Sequence, residues 1–166
     1  MAVDMFIKID DIKGESVDDK HKDEIDVLAW SWGLTQSGTA HSGSGGGAGK
    51  VHVNDLSITK YVDRSSPILI KSCCSGKHLK TALLVVRKAG GDKPLEYLKI
   101  TMEDVLVSAV TTGGSGGEDR LTENVTLNFA RVKLEYTPQK SASAGGGGGA
   151  DASIPMGWDI AANKEI

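Results

Sequence analysis

The chain has 166 residues, 39% of them hydrophobic and 25% charged, the composition of an ordinary folded domain rather than of a disordered or fibrous chain. Its 19 Lys+Arg against 22 Asp+Glu leave a formal net charge of -3, which removes the electrostatic reason to expect nucleic acid or an anionic membrane as partner. No apolar run approaches the roughly 20 residues that cross a bilayer. Charges also interrupt the opening Met1 to Asp10, so it does not read as a cleavable export signal; synthesis in the cytosol is expected, with any export by a route that accepts folded protein.

In chain order, strand-type alternation dominates. Val3 to Ile9 reads as a first strand, with Val3, Met5, Ile7 and Ile9 on one face. Asp10 to Asp23 reads as a solvated loop whose charges keep it wet. Ile25 to Leu34 is the clearest strand: Leu28, Trp30, Trp32 and Leu34 share one parity, and two Trp side chains on a face point that face at a core. Ile25, Val27, Ala29 and Ser31 share the other, which is small and uncharged toward its end. Such a face is either covered by protein or lines a protein surface.

Thr35 to Lys50 carries the run Gly43 to Gly49, which cannot bury apolar area and reads as a loose loop. Val51 to Thr59 resumes strand character with a parity change at Asn54-Asp55, the signature of a bulge or bend. One helix is expected, capped at Ser65 or Ser66, with Pro67 in its first turn and Gly76 at its end. Leu69 with Cys73 and Ile70 with Cys74, at i,i+4 spacing, supply its buried stripe. Further strands are expected over 79–88, 95–110 and 121–136, the last with a bend near Ala130 where parity changes. Ser141 to Ala150, with the five glycines Gly145 to Gly149, reads as a second flexible loop. Beyond it Ile154, Met156, Trp158 and Ile160 alternate as a returning strand. The expected fold is all-β, two packed antiparallel sheets or a β-barrel with one short flanking helix, in a single domain over residues 1–166.

Catalytic and cofactor chemistry finds little support. Ending a phosphate-loop match at Gly49-Lys50 puts Ser44 where its first Gly belongs and Val51 where Ser/Thr belongs, and a strand follows instead of a helix. The histidines His21, His41, His52 and His78 are scattered singly. The acid pairs Asp10-Asp11, Asp18-Asp19 and Asp23-Glu24 sit among lysines, as exposed loop charges do. Cys73 and Cys74 are adjacent, an unfavourable geometry for a disulfide, and no further Cys or paired His completes a zinc set. No catalytic residue, metal site or cofactor is expected. A monomeric ligand-binding or adhesin-like barrel remains an alternative to an assembling protein, and a hydrolase using loop carboxylates a more distant one.

Several long blocks carry a family resemblance. They are Phe6-Ile7-Lys8-Ile9 with Lys13-Gly14-Glu15-Ser16, Glu24 to Gly33, Asp55 to Asp63, Ser75-Gly76-Lys77-His78, and Gly116 to Val125. Through them the chain resembles the haemolysin-coregulated protein (Hcp) family, the inner-tube component of type VI secretion systems, from Ala2 to Trp158. The run Gly145 to Gly149 matches least well. The resemblance implies two antiparallel sheets in a barrel with a flanking helix. It also implies homo-hexameric rings stacked into a tube inside a contractile sheath, a VgrG-type spike at the tip, secretion out of the cell, and small effector proteins held and chaperoned in the ring lumen. On that footing Ala29 and Ser31, opposite the two tryptophans, are candidate lumen and cargo-binding residues. Gly45, Gly46 and Gly47, in the loop 35–50, are candidates for contact with an adjacent subunit or the next ring.

Overall fold

The computed structural model describes residues 2–41, 43, 47–88, 93–139 and 152–166. Ten strands and one helix follow in the order β1 (Val3–Ile9), β2 (Ile25–Ser31), β3 (Leu34–Thr35), β4 (His52–Val53), β5 (Leu56–Tyr61), α1 (Ser66–Ser75), β6 (Leu79–Lys88), β7 (Glu96–Thr112), β8 (Thr122–Tyr136), β9 (Ile154–Asp159) and β10 (Lys164–Glu165). One antiparallel sheet runs β10-β9-β8-β5-β2-β1-β6-β7, and a further β7–β8 pairing closes six of its strands into a barrel. β3 and β4 form a separate two-stranded sheet. The expected all-β barrel with one flanking helix is what the chain forms.

The barrel closes because its long strands turn a corner together. Side chains on a strand alternate faces with a period of two, yet three strands here place inward side chains three residues apart. These are Leu79 and Ala82 on β6, Met102 and Val105 on β7, and Phe129 and Val132 on β8, all buried. The breaks are in register: Leu79 pairs Val105 and Val105 pairs Phe129, while Ala82 pairs Met102 and Met102 pairs Val132. At this level Asp104 takes a left-handed backbone (φ 55), a conformation Asp adopts more readily than most residues. Asp10, which ends β1, does the same (φ 45) and donates its N–H to Thr81 O (2.9 Å). The bend expected near Ala130 is thus one point on a fold line crossing the sheet.

That line divides the sheet into a front wall and a back wall. The front wall contains β2, β5, the first half of β8 and the second half of β7; the back wall contains β1, β6, the first half of β7, the second half of β8, β9 and β10. β8 shows the exchange directly, pairing β5 over Thr122–Leu127 and β9 over Arg131–Tyr136. Between the walls lies one core, including Ile7, Ile9, Ile25, Leu56, Ile58, Leu84, Ile100, Met102, Leu127 and Leu69 of the helix.

Three expectations need correction. On β2 the core side is set by Ile25 and Val27, while Leu28 is exposed; a bulge between Val27 and Ala29 then reverses parity. Trp30 and Trp32 therefore do pack against the core, half-buried, whereas Leu28 and Leu34 do not. On the helix, Leu69 is fully buried and Cys73 packs beside it, but Ile70 and Cys74 are exposed. Gly76 ends the helix in a left-handed conformation (φ 64) as expected. The segment 10–23 is not simply solvated, because it forms a strap across the outside of β1 and β6. In it Gly14 comes so close to the backbone of residue 24 that a Cβ would lie 2.4 Å from Glu24 O. His21 is buried there, with Nδ1 and Nε2 each 2.7 Å from a carboxylate oxygen, of Glu24 and Glu96. Its ring stacks on Phe6, and the Arg87 guanidinium lies 4.9 Å from the Phe6 centroid while pairing with Asp18.

Two devices fasten the outer elements. The fully buried Lys60 ammonium donates to Glu123 Oε1 (2.6 Å), Tyr61 O (2.8 Å) and Ser66 Oγ (3.1 Å), and lies 3.0 Å from Asp63 Oδ1. This network joins β5, β8 and the start of α1, and neither Lys60 nor Glu123 touches water. Removing Lys60 alone leaves Glu123 and Asp63 buried without their cation, whereas removing Lys60 and Glu123 together leaves only Asp63, which keeps the Ser65 N–H (2.9 Å). Lys60→Met should therefore cost about 3–5 kcal/mol in denaturant unfolding, and Lys60→Met with Glu123→Leu should recover part of that loss. The second device is the strap's ion pair. Hydrogen bonds from Arg87 hold the Asp18 carboxyl below its ordinary value of 3.8, against burial that pushes it up. A lowered carboxylate pKa contributes stability that is present above the unfolded value and is lost as pH falls through the folded one. Unfolding free energy should thus drop on acidification below about pH 4, and Asp18→Asn should flatten that part of the profile.

Candidate assembly and cargo surface

The outward face of the front wall is unusual in its chemistry. Two rows of side chains cross its four strands: Ala29, Thr59, Asn124 and Thr111 in one, Ser31, Ser57, Thr126 and Ala109 in the other. None of the eight is charged, whereas about a quarter to a third of a typical soluble surface is Lys, Arg, Asp or Glu. The wall is knitted by its own hydroxyls and amides: Thr59 Oγ1 donates to Asn124 Oδ1 (2.7 Å), and Ser57 Oγ shares a hydrogen bond with Thr126 Oγ1 (3.2 Å). Charge is confined to its ends. At one, Asp55 accepts from Ser108 Oγ (2.7 Å) and Asn128 Nδ2 (2.9 Å); at the other, the Arg120 guanidinium stacks 3.7 Å over the Tyr61 ring.

Ala29 and Ser31 both lie on this face and both are exposed. The outward orientation expected for them holds, though for a different reason: the bulge at Leu28, not an unbroken alternation, places them opposite Ile25 and Val27. They are the β2 members of rows that continue through β5, β8 and β7, a continuity that a single strand's pattern does not reveal.

Among the described residues the front wall ends in two strand edges without a pairing partner. From Ala29 to Ser31, β2 pairs only with β5. From Leu106 to Thr112, β7 pairs only with β8, since its pairing with β6 stops at Val105. Unpaired strand edges are templates for another strand. α1 lies behind the β7 edge. Its first turn is tied through Ser66 to Glu123, which pairs Thr112; just past its end, His78 Nδ1 lies 3.1 Å from Asp104 Oδ1 and Leu79 pairs Val105.

Beyond β2 the chain projects as a hairpin extension. β3 and β4 pair through Leu34–Val53 and Thr35–His52, Trp32 Nε1 donates to Asn54 O (3.0 Å), and an isolated bridge joins Gly38 to Ala48. Gly47 sits there, exposed, its N–H donating to Thr39 Oγ1 (3.2 Å). Gly45 and Gly46 lie outside the described residues, as does the segment 141–150. Cys73 and Cys74 are both free thiols, Cys73 half-buried and Cys74 exposed. Among the described residues no helix is long and apolar enough to cross a membrane, and no group of three or more His, Cys, Asp or Glu is placed to hold a metal.

Residues 6–136 match the family model described as the type VI secretion system effector Hcp. The chain belongs to the Hcp family. It is 63% identical to the protein Hcp1 of Pseudomonas aeruginosa, over 99% of both chains. The solved Hcp1 of Salmonella typhimurium shares 49% identity over the whole of both chains, with a TM-score of 0.78. A solved type six secretion system protein reaches a TM-score of 0.90 at 34% identity, covering 99% of this chain and 100% of its own. Hcp is a secretion family and not a known enzyme family. Because Ala29 and Ser31 are exposed on the outer face of β2, Ala29→Gln and Ser31→Gln should change the chain's unfolding free energy by no more than about 0.5 kcal/mol, as measured in denaturant.

Proposed function

We propose that this Hcp chain is a structural, non-enzymatic tube subunit. Six copies close into a ring, rings stack into a tube inside a contractile sheath behind a VgrG-type spike, and small effector proteins ride in the lumen. The tube is made in the cytoplasm and leaves the cell with its cargo. The observation that carries this reading is the front wall: a neutral, exposed four-strand face bounded by two unpaired edges. An edge at each side of one wall suits a heterologous contact, β2 of one copy beside β7 of the next, which leaves no open edge once a ring is complete. The neutral face then lines the channel. It lacks the fixed charges that would hold oppositely charged cargo or repel cargo of like charge, and the small side chains of Ala29 and Ser31 leave room for a folded passenger.

Size-exclusion chromatography with light scattering, together with electron microscopy of negatively stained particles, tests the reading. Annular particles several times 17.4 kDa are expected; a lone subunit at every concentration would overturn it in favour of a monomeric barrel. Ser31→Gln should leave rings intact while reducing effector co-purification at least severalfold, and unchanged cargo would remove the lumen assignment. For the loop 35–50, whose sequence includes Gly45, Gly46 and Gly47, the proposed role is contact with the adjacent subunit or the next ring. Deleting residues 43–49 should therefore weaken tube formation more than it weakens folding of the subunit; equal loss of both would contradict that role.

A further inference from the structure

The two flanks of the barrel differ in their second layer, behind the front wall. On one flank the walls part early: β1 pairs β2 only through Phe6 and Ile7, after which β2 follows β5 while Val3 to Met5 stay with β6 alone. The gap between the diverging strands is bordered by Val3 and Leu28, 44% and 39% exposed, with Met5 and Trp30 half-buried against the core behind them. Among the described residues the core is therefore incompletely closed on this side, and none of these four bordering side chains carries a charge. On the other flank α1 lies along the second half of β7, with Ile68 and Ile70 standing on the two shoulders of its buried Leu69 stripe, 45% and 39% exposed.

We propose that the occupant of the gap is a second copy of this chain: the α1 shoulder bearing Ile68 or Ile70 of one subunit fills the space between β1 and β2 of the next. The inference rests on the ring reading above and goes beyond it in naming a second, apolar layer of the subunit contact. Three features favour this occupant. The β2 edge borders the gap and the β7 edge borders α1, so a neighbour that brings β7 beside β2 brings its helix to the gap in the same movement. The surfaces match in kind, uncharged aliphatic side chains against uncharged aliphatic and aromatic ones, so closing the gap removes apolar area from water on both sides. Finally, projection and gap lie on opposite flanks of one chain, so the contact is head-to-tail and repeats around a ring, where a self-complementary patch would stop at a dimer.

Disulfide trapping tests the contact in the full chain. In a Cys73→Ser, Cys74→Ser background, Leu28→Cys is combined with Ile68→Cys or with Ile70→Cys, and the assembled protein is oxidised and run on a non-reducing denaturing gel. At least one pairing should give a ladder of covalent multimers, because a head-to-tail contact links every subunit to the next. Each single-cysteine variant should stay monomeric on the gel. As an independent reading, Leu28→Glu or Ile70→Lys should lower the assembled fraction at least tenfold at fixed concentration with circular dichroism unchanged. Should a charged variant fail to fold, the trapping result decides. Rings that form without a ladder from either pairing overturn this contact and leave the ring reading standing. A dimer from a single-cysteine variant overturns it too, by showing a self-complementary contact. Absence of rings from the unsubstituted chain overturns both.

Discussion

The corner line through Asp10, Thr81, Asp104 and Ala130 governs the rest of the molecule. A sheet whose strands kept strict two-residue alternation would have one apolar face and one polar face along its whole length, and would need a second sheet to cover it. By letting β6, β7 and β8 change inward parity at one level, the chain folds the apolar face of a single sheet onto itself. The cost is local backbone irregularity, placed at Asp residues that tolerate a left-handed conformation. One sheet thereby supplies both walls of the core, and 17 residues of β7 serve first one wall and then the other.

That economy has a geometrical consequence at the flanks. A strand that crosses a corner leaves its neighbour behind: β7 outruns β6 after Val105, and β2 leaves β1 after Phe6 and Ile7. Each departure creates an unpaired edge, one on each side of the front wall; behind the β7 edge α1 covers the core with Leu69, whereas behind the β2 edge Val3 and Leu28 stay exposed. In a monomeric barrel such edges are a liability that charges, prolines or covering loops suppress. On the back wall the strap of residues 10–23 covers the outer face of β1 and β6, with His21, Asp18 and Arg87 holding it down. Among the described residues nothing comparable covers the front wall, and the two rows that cross it are uncharged. The asymmetry between a strapped back and a bare front is what the proposed ring contact would use.

Much of this was legible in the residues, and what was not has specific causes. The strand over 79–88, the helix from Ser66 to Gly76, the parity changes near Asn54-Asp55 and Ala130, and the returning strand after the glycine-rich segment all follow from local periodicity and turn chemistry, and the structure contains them. The exposed position of Ala29 and Ser31 was legible too, but the side of Leu28 was not, because a bulge leaves no trace when both parities are apolar. The shortest element escaped for a similar reason: β10 has two residues, too few for any period to show. The polar networks were hidden most completely. Lys60 and Glu123 are 63 positions apart, and nothing in a strand reading Leu-Ser-Ile-Thr-Lys-Tyr distinguishes a buried lysine from an exposed one. His21 reads as a loop residue until Glu96, from a strand 75 positions on, is brought beside it.

The buried network also bears on why the helix sits where it does. A buried ion pair is a poor source of stability, since desolvation offsets most of the attraction, and the isolated helix is only ten residues long, too short to hold itself together in water. Its single fully buried aliphatic side chain, Leu69, fixes depth against β7 but resists rotation and sliding weakly, because dispersion contacts have no direction. Directional bonds from Lys60 to Glu123, Ser66 and the Tyr61 carbonyl supply what packing lacks: they fix the first turn of α1 to the strand pair β5–β8. A helix that served only to cap the core would tolerate some slack. One whose exposed shoulder meets an identical chain at every repeat, as in the proposed ring, would not, because an error in its tilt would recur at each subunit and a closed ring has no free end at which to release it. The ion pair is best understood as the element that converts a docked helix into a positioned one.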